Sequence, residues 1–217
     1  MSPQMIELLW TSLLETLAMV GVAGGIAVII GIPLGVILIV TARGAMLQNL
    51  AVNHVLGVII NATRSVPFVI LMVAIIPFTR WIAQTSIGTA AAIVPLSVAA
   101  IPFMARIAEN AMREVDPGLI TAARAMGASP LQIICKVLLP EALPGLVAAT
   151  IVTIVSLIGY SAMAGAIGGG GLGDLGIRYG YQRFLPEVML AVVLVLIALV
   201  QAVQSLGDWL VRRMSHR

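Results

Sequence analysis

The stretch DPGLITAARAMGASP (116–130) carries the start and stop signals of two short helices inside a strongly apolar chain. Asp116 is a favourable N-cap residue, and Pro117 suits the first position of a helix. Gly127 predicts the end of the first helix, because glycine adopts the left-handed conformation without steric cost. Ser129, which is followed by another proline, repeats the start signal. The stretch therefore predicts two short, water-facing helices that meet at Gly127.

The rest of the chain has the composition of a membrane protein. Of its 217 residues, 60% are hydrophobic and 10% are charged, and the mean hydropathy is +1.10. These values exclude a soluble globular domain, and the prevalence of Leu, Ile, Val and Ala favours helical spans over a β-barrel. The net charge of +3 indicates no nucleic-acid partner, because the basic residues lie at the membrane flanks. His54, Cys135 and His216 are scattered and predict neither a disulfide nor a metal site.

Five apolar segments are expected to cross the membrane, since a hydrocarbon core about 30 Å thick needs roughly 20 helical residues. The predicted spans are Leu17–Val40, Val55–Phe78, Ile87–Ala105, Leu143–Ile167 and Val188–Leu206. The second span is drawn from Val55 because the clean segment from Val66 is too short. This choice places Asn61 and Arg64 inside the span, with Arg64 near the inner boundary. Pro140 is expected to break the chain just before the fourth span.

The distribution of the 12 basic residues predicts the orientation. Nine of them fall on one side of the predicted spans: Arg43, Arg64, Arg106, Arg113, Arg124, Lys136, Arg212, Arg213 and Arg217. The other three are Arg80, Arg178 and Arg183. By the positive-inside rule the N-terminus lies outside and the C-terminus in the cytoplasm. Residues 1–217 then form one transmembrane domain, with a cytoplasmic loop at about 113–140 and an extracytoplasmic glycine-rich loop at about 168–186.

The chain has no visible energy source of its own. Its sequence contains no phosphate-binding G-x-x-x-x-G-K-[ST] loop, and ionisable residues are missing from the middle of the predicted spans, with Arg64 the one candidate. The chain therefore either conducts passively, as a channel or carrier would, or borrows energy from a partner. The small residues on one face of the first short helix favour borrowing, because they allow another protein to approach closely. A connector stiffened by its own caps is the alternative interpretation of this loop.

The same loop resembles the EAA loop of bacterial ABC importer permeases. That motif has an acidic residue and two alanines, a glycine after three further residues, and I-x-L-P beginning ten residues after the glycine. Here Ala122, Ala123, Gly127 and the stretch VLLP (137–140) match, and Thr121 stands in place of the acidic residue. The resemblance implies a type I importer permease fold, in which this loop docks on a cytoplasmic ATPase. The coupling residues it implies are Leu119, Thr121, Ala122, Ala123, Met126, Gly127 and Ala128.

Three further segments resemble the permease family of bacterial methionine importers. They are RSVPFVILMVAIIPFTR (64–80), RAMGASPLQI with KVLLPEALPGLV (124–147), and GYSAMAGAIGGGGLGDLG (159–176). The resemblance implies a non-enzymatic permease homodimer in the bacterial inner membrane that imports D- and L-methionine. It also implies two ATPase subunits, which bind ATP and magnesium, and an extracytoplasmic methionine-binding lipoprotein. Import of another amino acid or a small osmolyte is the alternative within the same class.

Candidate pathway and docking residues lie in the polar segments and in the segments rich in proline and glycine. In the fourth span, Thr153, Ser156 and Tyr160 fall along one predicted helical stripe, which suits a small zwitterion, although hydroxyls can equally bond to their own helix. The expected pathway or gate residues are Arg64, Pro67, Thr153, Ser156, Tyr160, Ser161 and Met163. The expected docking residues for a binding protein are Asp174, Arg178, Tyr179 and Tyr181. Small residues of the first span, Ala27, Gly31 and Gly35, pack either between two subunits or within one.

Overall fold

The computed structural model describes residues 3–214, so Arg217 and His216 lie outside the described part of the chain. Residues 3–214 are helical throughout apart from short connections, and no strand occurs among them. In the first half lie α1 (Pro3–Thr41), α2 (Leu50–Ser65), α3 (Phe68–Ala74), α4 (Ile76–Ala83) and α5 (Thr89–Arg113). In the second half lie α6 (Pro117–Ala125), α7 (Pro130–Ile133), α8 (Leu139–Ala164), α9 (Gly171–Leu175) and α10 (Pro186–Met214). The expected all-α fold is confirmed.

Helix α1 is much longer than the predicted first span. It has 39 residues and begins at Pro3 rather than Leu17. At 1.5 Å per residue it measures roughly 58 Å, well beyond the hydrocarbon thickness. Its first turns are stabilised by a small apolar cluster contributed by α9 and α10, and hydropathy alone could not reveal that contact. The members of the cluster from α1 are Met5, Leu8, Leu9 and Leu13, and their buried partners are Leu172, Leu175, Val188 and Val192.

The predicted second span is wrong as a single helix. Helices α2 and α3 meet at 104°, and a third short helix, α4, follows them. The break lies at Val66, whose φ of −85° and ψ of 126° are extended. A residue before proline is pushed out of the helical region, so Pro67 forces the change of direction. Among residues 3–214, four helices are long and apolar enough to cross a membrane, or five if this bent pair counts as one span.

The other predicted spans correspond to α5, α8 and α10, but α5 continues to Arg113 and α10 to Met214, past the predicted ends at Ala105 and Leu206. The break expected at Pro140 is wrong, because residues 130–164 form one continuous helical stretch. A π-helical segment, Ile134–Leu138, joins α7 to α8, and Pro140 lies in the first turn of α8. The wider π turn accommodates the proline and its missing N–H without ending the helix. The outward N-terminus and cytoplasmic C-terminus stay a prediction from the charges.

Helix α5 lies at the centre of the core. Its own Leu96 and Met104 are fully buried, as are Met19 of α1 and Leu157 of α8. Helix α1 packs closely on α5: a Cβ on Gly31 would lie 2.8 Å from the Met104 Cβ, and one on Gly35 would lie 2.8 Å from the Ala105 carbonyl oxygen. Ala27 is buried in the same core. These three small residues therefore pack within the subunit.

Candidate functional site

The helix pair at residues 116–133 has the caps that the sequence predicts. The Asp116 carboxylate accepts a hydrogen bond of 2.8 Å from the Gly118 N–H at the start of α6. Gly127 follows the end of α6 with a φ of +80°, and the N–H of Ala128 donates to the Ala123 carbonyl. Ser129 caps α7 in a reciprocal capping box with Gln132. The first short helix and its end at Gly127 are confirmed, whereas the second is the first turn of a longer helical stretch that continues into α8.

Helices α6 and α7 together expose an apolar surface, which we call the α6–α7 platform. Met126 is 81% exposed, Leu131 70% and Leu119 42%, and Ala122 is also exposed. Ala123 is buried, so it does not share the exposed face predicted for it. With the neighbouring Ile120, which packs on the core, Ala123 anchors α6 from its inner side.

The two remaining predicted coupling residues lie at the edges of the platform. Thr121 is exposed, and its hydroxyl donates to the Pro117 carbonyl at 3.0 Å. Ala128 is half-buried in the turn between the helices. A polar side chain whose hydrogen bond is made inside its own helix leaves the platform largely apolar. The platform thus offers a partner protein van der Waals contact rather than charge at this position.

The predicted pathway residues at the bend lie close to α8 and α5. Pro67 precedes Phe68, whose ring stacks on the ring of Tyr160 with centroids 4.7 Å apart. Arg64 is exposed, and its guanidinium carbon lies 5.9 Å from the centre of the Phe103 ring. On the two sides of the bend, therefore, α2 contacts α5 and α3 contacts α8.

The hydroxyls of the fourth span are used inside the subunit. Thr153 is 1% exposed and donates to the Ala149 carbonyl at 2.8 Å, and Ser161 is 1% exposed and donates to the Ile158 carbonyl at 2.8 Å. Ser156 is half-buried and donates to the Val152 carbonyl, and Met163 is 47% exposed. The stripe of Thr153, Ser156 and Tyr160 is therefore not one open face. Pathway roles for these residues stay predictions, and open space adjoins Ser156 and Met163 rather than Thr153 or Ser161.

The predicted extracytoplasmic loop is largely helical. It contains α9 and a π-helical segment, Gly176–Tyr181. The carboxylate of Glu15 on α1 accepts from the Gly171 N–H at 2.7 Å, and the Thr16 hydroxyl accepts from the Leu172 N–H at 2.9 Å. Side chains of α1 thus cap the start of α9 from a distant part of the sequence.

Glycines in this segment allow backbone to touch backbone. A Cβ on Gly173 would lie 2.2 Å from the Ala162 carbonyl oxygen, and one on Gly165 would lie 2.4 Å from the Asp174 nitrogen. Neither position has room for a side chain, because the obstructing atoms belong to the backbone. The segment is consequently a tightly packed structure between α8 and α10, and not a flexible connection.

The predicted docking residues lie beside this packed segment. Asp174 and Arg178 form an ion pair at 2.6 Å, and the hydrogen bond and charge of Asp174 raise the pKa of the Arg178 guanidinium. The Arg183 guanidinium carbon lies 4.4 Å from the centre of the Tyr179 ring, and Tyr181 is 67% exposed. Their role in docking stays a prediction. Phe184, which sequence reasoning missed, is 83% exposed at a φ of +53°.

Sequence reasoning also missed two polar groups. Glu109 is buried between Arg106 and Arg113, and the three- and four-residue spacing of these charges was the available signal. On α10, an exposed polar stripe and Ser156 of α8 line a groove of about 640 Å³. The stripe consists of Gln201, Gln204, Asp208 and Arg212. The helical spacing of these residues is readable from the sequence.

The family model for the binding-protein-dependent transport system inner membrane component matches residues 27–216. The probable D-methionine transport system permease protein MetI of Vibrio cholerae is 56% identical over 211 residues, 97% of this chain and 94% of that protein. The D-methionine transport system permease protein MetI of Escherichia coli is 54% identical over 165 residues, 76% of each chain. A chain from a solved structure, described as inward facing conformations of the MetNI methionine ABC transporter, matches with a TM-score of 0.98, at 51% identity and 100% coverage of both chains.

Proposed function

The chain belongs to the family of binding-protein-dependent transport system inner membrane components, and we propose that it is the permease subunit of an ATP-driven methionine importer. The observation that carries the proposal is the full-length likeness to a chain of a methionine ABC transporter at half identity. The expected type I importer permease fold agrees with the same match. The chain is a multi-pass membrane protein and carries out no chemistry on its substrate.

In this proposal the energy comes from a separate ATPase that binds ATP and magnesium. The α6–α7 platform is the docking element, because it exposes Leu119, Met126 and Leu131 while Ala123 fixes its inner side. Large exposed apolar side chains at the end of a capped, anchored helix pair favour a protein partner. The order of events is that the ATPases close and open, the platform moves, and the pathway alternates between outward and inward access.

The proposed assembly contains two copies of this permease, two ATPases and an extracytoplasmic methionine-binding lipoprotein. Two copies are favoured because the four or five spans of one chain are few to enclose a solute path. The packed glycine-rich segment 165–184, which the charge distribution predicts to be extracytoplasmic, is called the outer segment. With its exposed Tyr181 and Phe184 it is the proposed docking surface for the binding protein. Aromatic side chains are enriched at the centre of protein interfaces, which supports this assignment.

We infer methionine as the substrate, with the D-enantiomer named in the relatives and the L-enantiomer as an extension. The test is reconstitution of the chain into liposomes in the presence of the binding lipoprotein, with and without the ATPase that co-purifies with the chain, followed by uptake of radiolabelled D- and L-methionine. We expect accumulation only when the ATPase and ATP are both present. If the ATPase binds but methionine does not move, the substrate is another amino acid or an osmolyte. Flux through the chain alone would mean a channel or carrier.

A further inference from the structure

A buried carboxylate organises the charges at the C-terminal end of α5. Glu109 is 1% exposed, and its two oxygens accept from two arginines of the same helix. The distances are 2.6 Å to Arg106 Nη1 and 2.5 Å to Arg113 Nη2. Burying a carboxylate is costly unless its charge is compensated and its oxygens are hydrogen-bonded. Here both conditions are met, so Glu109 holds the two guanidinium groups in fixed positions.

One of these arginines also reaches a different helix. Arg106 Nη2 donates to the Asn61 side-chain oxygen at 2.8 Å, so one planar guanidinium joins Glu109 on α5 to Asn61 on α2. Next to this bond, Ile60 packs against Leu38 and Ala105. The rigid fork of arginine suits such a bridge, since its donors point in fixed directions.

The C-terminal end of α5 is directly connected to the α6–α7 platform. Helix α5 ends at Arg113, and Asp116 already caps α6. The intervening Val115 is buried in the main core, and its N–H donates to the Met112 carbonyl. A short, anchored connection leaves little freedom between the two helices. A displacement of the platform is therefore transmitted to the helical turns that carry Arg106 and Glu109.

The C-terminal end of α2, just beyond Asn61, leads to the pathway region. Helix α2 stops at Ser65, and after the bend at Pro67 the first residue of α3, Phe68, stacks on Tyr160 of α8. Stacked rings at 4.7 Å make a specific contact, which resists sliding. Helix α2 thus lies between the end of α5 that adjoins the platform and the part of α8 that carries Tyr160.

We propose that Arg106, oriented by Glu109, is a positioning residue that makes α2 follow the α6–α7 platform and so passes its movement to the bend at Pro67. This inference rests on the proposed function as an ATPase-driven permease. The bond to Asn61 is the step that carries the movement between helices. Neutralising the buried Glu109 is a separate role, which Arg113 shares.

The chain offers a matched control for this distinction. Arg113 binds the same carboxylate from the same helix, is 58% exposed, and makes no bond to α2 among the described contacts. Asn61 is exposed on α2, so its substitution should not disturb folding. The informative variants are Arg106→Gln, Asn61→Ala, the two combined, and Arg113→Gln as the control.

The experiment uses the permease–ATPase complex in liposomes, supplied with the binding lipoprotein, and measures methionine uptake per ATP hydrolysed. A lost charge-assisted hydrogen bond corresponds to roughly a tenfold change in an equilibrium. We expect uptake per ATP to fall by about that factor in Arg106→Gln and in Asn61→Ala, with no further fall in the double variant. In Arg113→Gln we expect uptake per ATP to stay within about twofold of the unsubstituted complex. An equal loss in Arg113→Gln, or unchanged coupling in Asn61→Ala, would overturn the proposal.

A second readout does not depend on the substrate. Hydrogen exchange of residues 50–65 is measured in the complex with and without trapped ATP. We expect ATP to change the protection of α2 in the unsubstituted complex and in Arg113→Gln, and to leave it unchanged in Asn61→Ala. If methionine does not move in any complex, the proposed function fails while this readout still decides the role of Arg106. An ATP response of α2 that persists in Asn61→Ala contradicts that role.

Discussion

The helix pair at 116–133 is held by bonds between close neighbours, whereas the glycine-rich segment at 165–184 is held by residues far away in the sequence. Asp116 bonds two residues ahead and Ser129 three. Gly171 and Leu172 are capped by Glu15 and Thr16, each 156 positions away. Both segments contain a short helix beside a tight glycine turn. They differ in whether the residues that determine their conformation are near to them or far from them in the sequence.

This difference separates what each segment tolerates. A locally capped helix pair depends on a few turn residues and keeps its outer surface free for a partner, here the α6–α7 platform. A segment built by backbone contact depends on the absence of side chains at several glycines and on the α1 helix that covers it. Substitutions in the outer segment should therefore reduce global stability, while substitutions in the helix pair should mainly reduce coupling.

The largest expected effect is that of Gly173→Ala. The added Cβ would lie 2.2 Å from the Ala162 carbonyl oxygen, and backbone atoms cannot move aside. We expect the free energy of unfolding to fall by about 3 kcal/mol. The measurement is thermal denaturation of the protein in detergent. Gly21→Ala is the control, because a Cβ there meets nothing within 4 Å inside a helix. A Gly173→Ala variant as stable as Gly21→Ala would contradict the close packing of the outer segment.

The next effect is that of Gly127→Val. Nothing lies within 4 Å of a Cβ at Gly127, so the cost of roughly 1–2 kcal/mol arises from its φ of +80°. We expect ATP-driven uptake to be lost while most of the thermal stability remains. Gly127→Asn should retain uptake, since asparagine tolerates the left-handed conformation. Normal uptake by Gly127→Val would count against a coupling role for the turn.

A smaller effect tests the long-range caps. Thr16→Val removes the hydroxyl that accepts from the Leu172 N–H but keeps the side-chain shape. We expect a loss of about 1–2 kcal/mol, because a buried N–H is left without a partner. Thr11→Val is the control: Thr11 lies on the same helix, is exposed, and bonds only back to the Glu7 carbonyl among the described contacts. Equal melting temperatures for the two variants would contradict the claim that α1 stabilises α9 by capping it.

The smallest effect is that of Asp116→Ala. Loss of an N-cap typically costs about 1 kcal/mol, and here the cost falls on the short helix α6. We expect a modest decrease in ATPase binding by the solubilised permease and almost no change in its melting temperature. Asp116→Asn should behave as the unsubstituted chain, because the amide oxygen can cap in the same way. A large drop in melting temperature would contradict this prediction and would mean that α6 unfolds together with the rest of the chain.

Sequence alone was sufficient where the signal is local. The caps at Asp116, Gly127 and Ser129 were predicted because each acts on neighbouring backbone groups. Three of the spans followed from hydropathy, since bilayer thickness sets their length. The match of Ala122, Ala123 and Gly127 to the loop of importer permeases indicates that class without any knowledge of the geometry.

The failures have a common physical origin in contacts between distant residues. The early turns of α1 depend on apolar residues of α9 and α10, which no window of sequence around Pro3 contains. The burial of Ala123 and Thr153 depends on which helix lies opposite each of them. Their positions on a helical stripe therefore predicted exposed faces, whereas both side chains are buried. Pro67 is a sequence signal for the break after Ser65. The continuous hydropathy of the segment nevertheless favours a single span, and the prediction of one helix is therefore wrong.

The most direct test of the central claim compares two equally exposed apolar side chains on the two segments. Met126 of the platform is 81% exposed, and Phe184 of the outer segment is 83% exposed. Each is replaced by aspartate, and the ATPase retained by the solubilised permease is measured by co-purification. Aspartate at such exposed positions should leave folding intact. We predict that Met126→Asp loses the ATPase and that Phe184→Asp retains it; retention by Met126→Asp, or loss by Phe184→Asp alone, would contradict docking through the platform.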